Sequence, residues 1–180
     1  MATIVPSAVR IAAAIGLSGS AWCSGAIMSI TFTAGSALLE PSLPAAAAAH
    51  ASIIWHHIYN KGKTTLPPIA ACAALAFFYA AYNFPNPVAL QEIENTRNSL
   101  ALAGVLTVSI VPYTLLIMKP TNDALHAKSR AVTERSKKGF ETILDDGTKE
   151  LIRNWNVLNF VRGALPLLAT GLAAYAILFS

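Results

Sequence analysis

Apolar and polar positions alternate along this chain in whole segments rather than residue by residue. Four long apolar runs occupy residues 11–39, 64–83, 99–118 and 157–179. A helix needs about 20 apolar residues to cross the hydrocarbon layer of a bilayer, and each run reaches that length. The pattern predicts an all-α fold, a membrane-embedded up-down four-helix bundle that forms one domain over residues 1–180.

The segment between the first two runs predicts an additional short helix. Glu40-Pro41 ends the first run, and residues 45–59 are expected to form a helix that stops at Asn60-Lys61-Gly62-Lys63. Pro67-Pro68 is then expected to begin the second span, because proline is favoured in the first helical turn. The short helix either rests at the lipid headgroups through its aromatic side chains or contributes to a site.

The remaining connections are a turn, a polar connector and a long charged loop. The turn falls at residues 83–87 and the connector at residues 91–97. Residues 121–155 hold most of the charge, and they predict two amphipathic helices that break near Asp145-Asp146-Gly147. These two helices are expected to lie on the cytosolic side, as an amphipathic addition to the bundle.

Residues 110–125 begin inside an apolar run and end in the most charged part of the chain. Pro112 predicts a kink there, because it removes one backbone donor and frees a carbonyl one turn earlier. Lys119-Pro120 is expected to close the helix, and Thr121-Asn122-Asp123 to cap the next one. The stretch either places polar groups at the mouth of the bundle or is an ordinary kinked span with a stop signal.

Small residues in the first run recur four apart, in two rows. The first row contains Ala12, Gly16, Ser20 and Ser24, and the second contains Ala21, Gly25, Ser29 and Thr33. Rows of this kind let helix backbones approach closely in lipid, so both predict helix packing. Cys23 and Cys72 also lie in apolar runs, and they are expected to be small buried hydrophobes rather than a disulfide or a zinc site.

The composition is that of a membrane protein, with 54% of the 180 residues hydrophobic and only 12% charged. The formal net charge of +4 comes mostly from cations in the two large loops. The positive-inside rule puts those loops in the cytosol and both termini across the membrane, which we expect to be an endomembrane of the endoplasmic reticulum type. No nucleic-acid motif is present, so the expected partner is the lipid bilayer, and a homo-oligomer is left open.

A single charge falls inside an apolar run. Arg162 follows Trp155 by seven residues and Asn159 by three, so the three side chains share one helical face. An arginine within a span needs a partner, a water-filled cavity or a route to the surface. Arg162 is therefore expected either to snorkel towards the cytosolic surface or to face the bundle interior as a site residue.

Three of the four histidines, His50, His56 and His57, fall in the predicted short helix. Two histidines of one helix that share a metal usually lie three or four residues apart, so gaps of six, one and seven disfavour a pair within this helix. A ligand set drawn from several helices stays open. The fourth histidine, His126, lies in the long loop and is expected to be solvated.

Four pieces of the chain together resemble the anthrone oxygenase family of fungal aromatic polyketide pathways. The pieces are GSAWCSGAIMS, His50 with Trp55, Tyr59, Gly62 and Pro67-Pro68, VPYTLLIMKPTNDAL, and Trp155 with Asn159 and Arg162. They cover all four spans, and the family is part of a larger group of small four-span membrane proteins. The resemblance implies a monooxygenase that converts an anthrone of the emodin anthrone type into the anthraquinone with dioxygen and without a cofactor.

The implied chemistry suggests roles for the residues at these positions. An anthrone loses a proton to give an electron-rich aromatic anion that can reduce dioxygen, so the site needs a base and a group that stabilises the anion. We expect His50 to be the base, with His56 or His57 as alternates, and Arg162 to stabilise the anion. Hydrogen-bonding and ring-binding side chains are expected to complete the site, and they are Asn122, Asn159, Trp55, Tyr59, Trp155, Tyr113 and Thr121.

Two other functions stay open at this point. A non-enzymatic four-span protein would carry or scaffold hydrophobic polyketides, and a metal-dependent oxidase would bind iron or copper through histidines of different helices. The sequence has no Rossmann fingerprint, P-loop, HExxH or CxxC motif, so nucleotide and zinc chemistry have no support. Arg162 separates the readings, because a scaffold would accept lysine there, whereas an anion site can require the planar guanidinium.

Overall fold

The computed structural model describes residues 5–42, 50–85, 90–138 and 146–178, with the backbone alone described at 90–94 and 146. Its elements are α1 (Ser7–Ser29), a π-helical segment (Ile30–Gly35), α2 (Ala51–Asn83), α3 (Leu90–Val108), α4 (Ile110–Leu116), α5 (Lys119–Lys137) and α6 (Asp146–Leu178). These described stretches contain helices and no strand, which confirms the all-α class.

Four helical stretches are long and apolar enough to cross a membrane, and they are Ser7–Gly35, Ala51–Asn83, Asn95–Leu116 and Gly147–Leu178. They form an up-down bundle in which α1 packs against α2 and α6, while α3 packs against the same two helices from the other side. The amphipathic α5 lies against α2 and α6. The chain is therefore an integral membrane protein with the predicted four-helix architecture.

The helix α2 joins two elements that the sequence analysis separated. Its 33 residues run from the predicted short helix through the second span, and Pro67-Pro68 lies in the helix interior rather than at a helix start. Trp55 and Leu66, on either side of the polar stretch 60–63, are both buried against other helices, and this tertiary packing keeps the stretch helical. Residues 45–49 of the predicted short helix and residues 86–87 of the predicted turn lie outside the described residues.

The helix α6 likewise joins the second amphipathic helix to the fourth span, because it runs without interruption for 33 residues from Asp146. Ile152 and Trp155 are buried before the predicted span begins, which explains why the helix extends so far. The polar connector at 91–97 is similarly the first part of α3. Asp145, at the predicted break, and Phe179 lie outside the described part of the chain.

The third span is interrupted three residues before Pro112, where the sequence analysis predicts a kink. The interruption lies at Ser109, which separates α3 from α4. Pro112 has no N–H to bond the carbonyl of Val108, and the interruption falls at the next residue.

The prediction of side-chain caps for α5 is wrong. The helix begins at Lys119 and places Pro120 in its first turn, where the fixed backbone angle of proline suits a helix start. Met118 precedes the helix, and it makes no side-chain cap hydrogen bond. Residues 121–123 are therefore helical, and Asn122 is buried.

Close packing of α1 follows one of its two rows of small residues. Gly16 lies so near α2 that a Cβ atom there would fall 2.6 Å from the ring of Phe77. Further along the same row, Ser24 donates a hydrogen bond to the carbonyl of Gly163 in α6 at 3.0 Å. This row is buried as predicted, but the second row is exposed, so its predicted packing is wrong within this chain.

The two cysteines also differ from each other. Cys23 is buried in the bundle, as predicted. Cys72 is exposed on the outer face of α2, so the prediction of a buried position is wrong for this residue.

Replacing Gly16 with alanine is expected to destabilise the protein, because the added methyl group overlaps the buried Phe77 ring and overpacking typically costs about 1–3 kcal/mol. The matched control is Gly25→Ala on the same helix, where nothing lies within 4 Å of the new Cβ. Thermal unfolding in detergent should show a lower midpoint for Gly16→Ala alone. Equal midpoints for the two variants would contradict this account of the α1–α2 contact.

Candidate functional site

A cavity of about 340 Å³ opens between α2 and α4. Its wall consists of Tyr59, Gly62, Lys63, Thr64, Leu66 and Pro67 from α2, Ile110, Val111, Thr114 and Leu115 from α4, and Arg162 from α6. Gly62 leaves room in the α2 wall, since a Cβ there would meet only Leu66 at 3.8 Å. The volume falls in the range of small-molecule sites, roughly 300–1,000 Å³, and most of the lining is apolar.

Arg162 forms the inner end of this cavity. It is 9% exposed, and its Nη1 donates a hydrogen bond to Thr114 Oγ1 at 3.2 Å. Its Nε is buried without a hydrogen-bond partner. The phenol groups of Tyr59 and Tyr113 belong to its electrostatic surroundings, whereas the ion pairs found among the described side chains do not include it. Arg162 thus faces the interior, and the snorkelling alternative is wrong.

Tyr59 connects the cavity to a cluster of aromatic rings. Its ring stacks on Trp55 with centroids 5.2 Å apart and meets the edge of His126 at 5.0 Å. The Lys63 Nζ lies over the Tyr59 ring, 5.6 Å from its centroid. Trp55 also packs edge to face on Trp155 at 5.9 Å. Tyr59 is therefore held by two aromatic neighbours, Trp55 and His126.

A pair of histidines lies next to this cluster. His56 Nδ1 and His126 Nδ1 are 2.8 Å apart, and the Asn60 Nδ2 is 2.7 Å from His56 Nε2. When the Asn60 amide donates to Nε2, His56 carries its proton on Nδ1 and donates it to His126 Nδ1. This arrangement leaves the proton of His126 on Nε2. The three side chains form one hydrogen-bonded chain from α2 to α5.

His126 lies outside the membrane-crossing helices, and its surroundings favour the neutral imidazole. Partial burial lowers the pKa of His126, and the neighbouring His56, Lys63 and Arg130 lower it further, while Asp123 acts in the opposite direction. His126 is therefore uncharged at neutral pH.

Among the residues that sequence analysis proposed for the site, Tyr59 and Arg162 line the cavity. Trp155 reaches a much smaller void, of about 10 Å³, that Tyr59 and Arg162 also line. Tyr113 is half-buried near Arg162. These four side chains are brought together by α2, α4 and α6.

The other proposed residues lie elsewhere. Asn159 is fully buried and donates to Thr31 Oγ1 at 2.7 Å, so it ties α6 to the π-helical segment. Trp55 and Asn122 are buried away from the cavity wall, and Thr121 is half-buried in the first turn of α5.

The three histidines of α2 also differ in position. His50 precedes the first turn, where its carbonyl accepts from the Ile53 N–H at 2.9 Å. His57 is exposed, with its ring 5.9 Å from that of His56. His56 is the one that pairs with His126 beside the cavity.

Sequence reasoning missed His126 and Lys63. The prediction that His126 is solvated is wrong, because α5 packs on α2 and places this ring against Trp55 and Tyr59. The available signal was its position next to Leu125, on the buried face of an amphipathic helix. Lys63 was treated as part of a stop signal, yet it lines the cavity.

Histidines of different helices do come into contact, but the contact joins two side chains, His56 and His126. Within residues 5–42, 50–85, 90–138 and 146–178, no group of three or more His, Cys, Asp and Glu side chains is placed to hold a metal ion. His56 and His126 would supply two nitrogen ligands from two helices.

The amino-acid sequence matches the anthrone oxygenase family over residues 55–172, which include the cavity wall and the histidine pair. It is 31% identical to an anthrone oxygenase of Aspergillus fumigatus over 173 residues, 92% of this chain and 92% of that protein. It is also 31% identical to an anthrone oxygenase of Claviceps purpurea over 166 residues, 90% of this chain and 84% of that protein.

A third relative is the noranthrone monooxygenase of Aspergillus flavus, which is 32% identical over 152 residues, 84% of this chain and 65% of that protein. No solved structure gives a significant match. The family match extends over more than half of the chain, and the first relative matches almost end to end. The chain therefore belongs to the anthrone oxygenase family of oxidoreductases.

Proposed function

We propose that this protein oxidises an anthrone to the anthraquinone with dioxygen, within an aromatic polyketide pathway and without a cofactor. The observation that carries the proposal is the cavity between α2 and α4, which is apolar along its walls and cationic at its buried end. Such a cavity suits a flat aromatic tricycle whose oxygen becomes anionic during the reaction. We further propose that the membrane is an endomembrane and that α5 lies on its cytosolic side.

Arg162 is proposed to stabilise the anion. Deprotonation of the anthrone carbon leaves an electron pair that delocalises onto the carbonyl oxygen. A guanidinium in an apolar site interacts strongly with such an oxygen, because little water screens the charge. Arg162 has one hydrogen bond to Thr114, and its Nε has no protein partner, so donor capacity remains for a ligand.

The proton acceptor is proposed to be the His56–His126 pair. Tyr59 follows His56 by one helical turn and lines the cavity, so the pair lies about 5 Å along the helix axis from the cavity wall. The pair is half-buried, and His56 can accept a proton at Nε2 when the Asn60 amide releases that nitrogen. The His56 imidazolium then donates a charge-assisted hydrogen bond from Nδ1 to His126. His50 remains the competing candidate for the base, and His57 the least favoured, because it is exposed.

The remaining steps conserve atoms and electrons. The anthrone anion gives up electrons to dioxygen, one oxygen atom becomes the new quinone oxygen, and the other leaves as water with the two hydrogens of the reacting carbon. Tyr59 would support one face of the ring system during these steps, with Trp155 behind it. Water is kept from that side by the aromatic cluster.

A metal-dependent oxidase is the second candidate, because His56 and His126 bring imidazole nitrogens from two helices to 2.8 Å. Iron or copper bound there would shift the histidines from proton acceptor to ligand. A carrier or scaffold for hydrophobic polyketides would use the same cavity without turnover.

One experiment separates the three functions. The purified protein in detergent is treated with a chelator, mixed anaerobically with emodin anthrone, and then exposed to oxygen. We expect quinone formation well above the uncatalysed rate. Loss of the acceleration on chelation, with recovery on adding iron or copper, would identify the metal oxidase, whereas no acceleration with several anthrones would favour the carrier.

Replacing Arg162 with lysine tests the anion site. Lysine keeps the charge but lacks the planar set of donors, so turnover is expected to fall about 10²-fold, as when one oxyanion donor is removed. The matched control is Arg153→Lys, an exposed cation on the same helix. Circular dichroism and thermal unfolding would check the fold. Full activity of a folded Arg162→Lys protein would remove Arg162 from this role.

Replacing His56 with alanine tests the base, and turnover is expected to fall about 10²–10⁴-fold. The exposed His57→Ala variant should keep its activity. Because the pKa of His126 is lowered, the wild-type turnover should be constant near neutral pH and fall on acidification only below about pH 6.5. If His50→Ala loses turnover while His56→Ala retains it, His50 is the base instead.

A further inference from the structure

The small void next to Arg162 is separate from the large cavity but shares a wall with it. Its volume of about 10 Å³ is enough for one molecule the size of water. Ile30 and Ile58 contribute apolar surface to it, whereas Tyr59, Lys63, Trp155 and Arg162 contribute polar groups. Tyr59, Lys63 and Arg162 also line the large cavity. A molecule in the small void is therefore a direct neighbour of a ring in the cavity.

Two side chains around the small void carry buried N–H groups that no hydrogen bond satisfies. The Nε1 of Trp155 and the Nε of Arg162 are both buried, and neither has a partner in the described part of the chain. The two residues are 2% and 9% exposed. Both groups can only donate, since neither an indole N–H nor a guanidinium accepts a hydrogen bond. Buried donors without an acceptor are costly, so this pair indicates a small acceptor that occupies the void.

The lining of the small void suits an anion better than a water molecule. Water could accept from the two N–H groups, but its own two hydrogens would then need acceptors. Of the described side chains around the void, the Tyr59 hydroxyl is the one that can accept. Lys63 and Arg162 bring positive charge to the same place. A small anion can use all of these donors and has no hydrogen of its own to place.

The proposed reaction forms an anion of this size. When the anthrone anion gives one electron to dioxygen, the products are an anthrone radical and superoxide, which is diatomic. The negative charge passes from the carbonyl oxygen of the anthrone to the oxygen molecule. Superoxide formed in the small void would remain beside the guanidinium that first stabilised the anthrone anion. The charge would therefore move without leaving Arg162, in surroundings where little water screens it.

From this arrangement we propose that the small void holds dioxygen during its reduction, with Trp155 and Arg162 as the donors that stabilise superoxide. This proposal rests on the proposed function and adds a place for the oxidant. Superoxide next bonds to the reacting carbon of the radical, which gives a peroxide anion. That anion takes back the proton that the base removed. Loss of water, with the remaining hydrogen of the carbon, leaves the quinone, so one dioxygen gives one quinone and one water.

A chloride titration tests the anion site without turnover. The chain has three tryptophans, so protein labelled with ¹⁵N in tryptophan gives three indole N–H signals in detergent. Trp22→Phe and Trp55→Phe identify two of them, and the third belongs to Trp155. We expect chloride, a single-atom anion, to shift the Trp155 signal until it saturates. Sodium gluconate at the same ionic strength should leave the signal in place, because its anion is too large for the void.

The matched control in this titration is the signal of Trp55. Its Nε1 is also buried without a partner in the described residues, but Trp55 does not line the small void. The Trp55 signal should therefore move far less than that of Trp155. Equal movement of both signals would mean that chloride acts on the whole aromatic cluster, and an unmoved Trp155 signal would mean that the void holds water. Either result would overturn the proposal.

Replacing Trp155 with phenylalanine tests the role in the reaction, because it removes the indole donor and keeps an aromatic ring. With emodin anthrone, kcat/KM for dioxygen should fall about ten- to hundredfold, the range for a hydrogen bond to a charged acceptor. The kcat/KM for the anthrone at saturating dioxygen should stay nearly constant. Trp55→Phe measures the effect of lost packing in the same cluster, and its kcat/KM for dioxygen should fall far less. Equal losses in the two variants would contradict the proposal.

Inhibition by chloride separates this proposal from the proposed function. Chloride should compete with dioxygen and not with the anthrone, whereas competition with the anthrone would place the anion in the large cavity and overturn the proposal. If no anthrone is oxidised although chloride shifts the Trp155 signal, the proposed function fails and the anion site remains. If anthrones are oxidised but chloride neither shifts that signal nor competes with dioxygen, the proposed function stands and this proposal fails.

Discussion

The structure depends on keeping one guanidinium inside an apolar bundle. Arg162 is almost fully buried, it has a single protein hydrogen bond to Thr114, and the described ion pairs do not include it. A charge in such a place is costly unless its surroundings are polar or a ligand completes them. The bundle supplies hydroxyl groups from α2 and α4 and leaves a cavity in front of the charge. The site is therefore the place where the bundle is left unpacked so that a ligand can complete the surroundings of the buried charge.

The rest of the bundle is packed tightly enough to support that opening. Small residues bring α1 against α2 and α6, and buried hydroxyl and amide groups form hydrogen bonds between the helices. Asn159, on the same face as Arg162, is held in this way by Thr31. Two polar residues on this face of α6 therefore have different roles. Asn159 fixes the helix against the π-helical segment, and Arg162 lines the cavity.

The helices could be predicted because a long apolar run in a membrane protein has few stable conformations other than a helix. The shared face of Trp155, Asn159 and Arg162 followed from helix periodicity alone. The direction of Arg162 and the pairing of His56 with His126 could not be predicted, since both depend on which helices meet across 48 and 70 residues of sequence. The boundaries of α2 and α6 were misplaced for a related reason, because buried tryptophans stabilise helix beyond the apolar runs.

The prolines in or next to the two helices that line the cavity have a consequence for how a ligand enters and leaves. Pro67 and Pro68 remove the N–H groups that would bond the carbonyls of Lys63 and Thr64, and Pro112 does the same for Val108. Helices that lack such bonds bend more easily at those points. Both helices that border the cavity, α2 and α4, can therefore bend. Opening by collective bending of helices falls in the microsecond-to-millisecond range. The residence time of a bound molecule would then follow the stiffness of these two helices as well as its contacts.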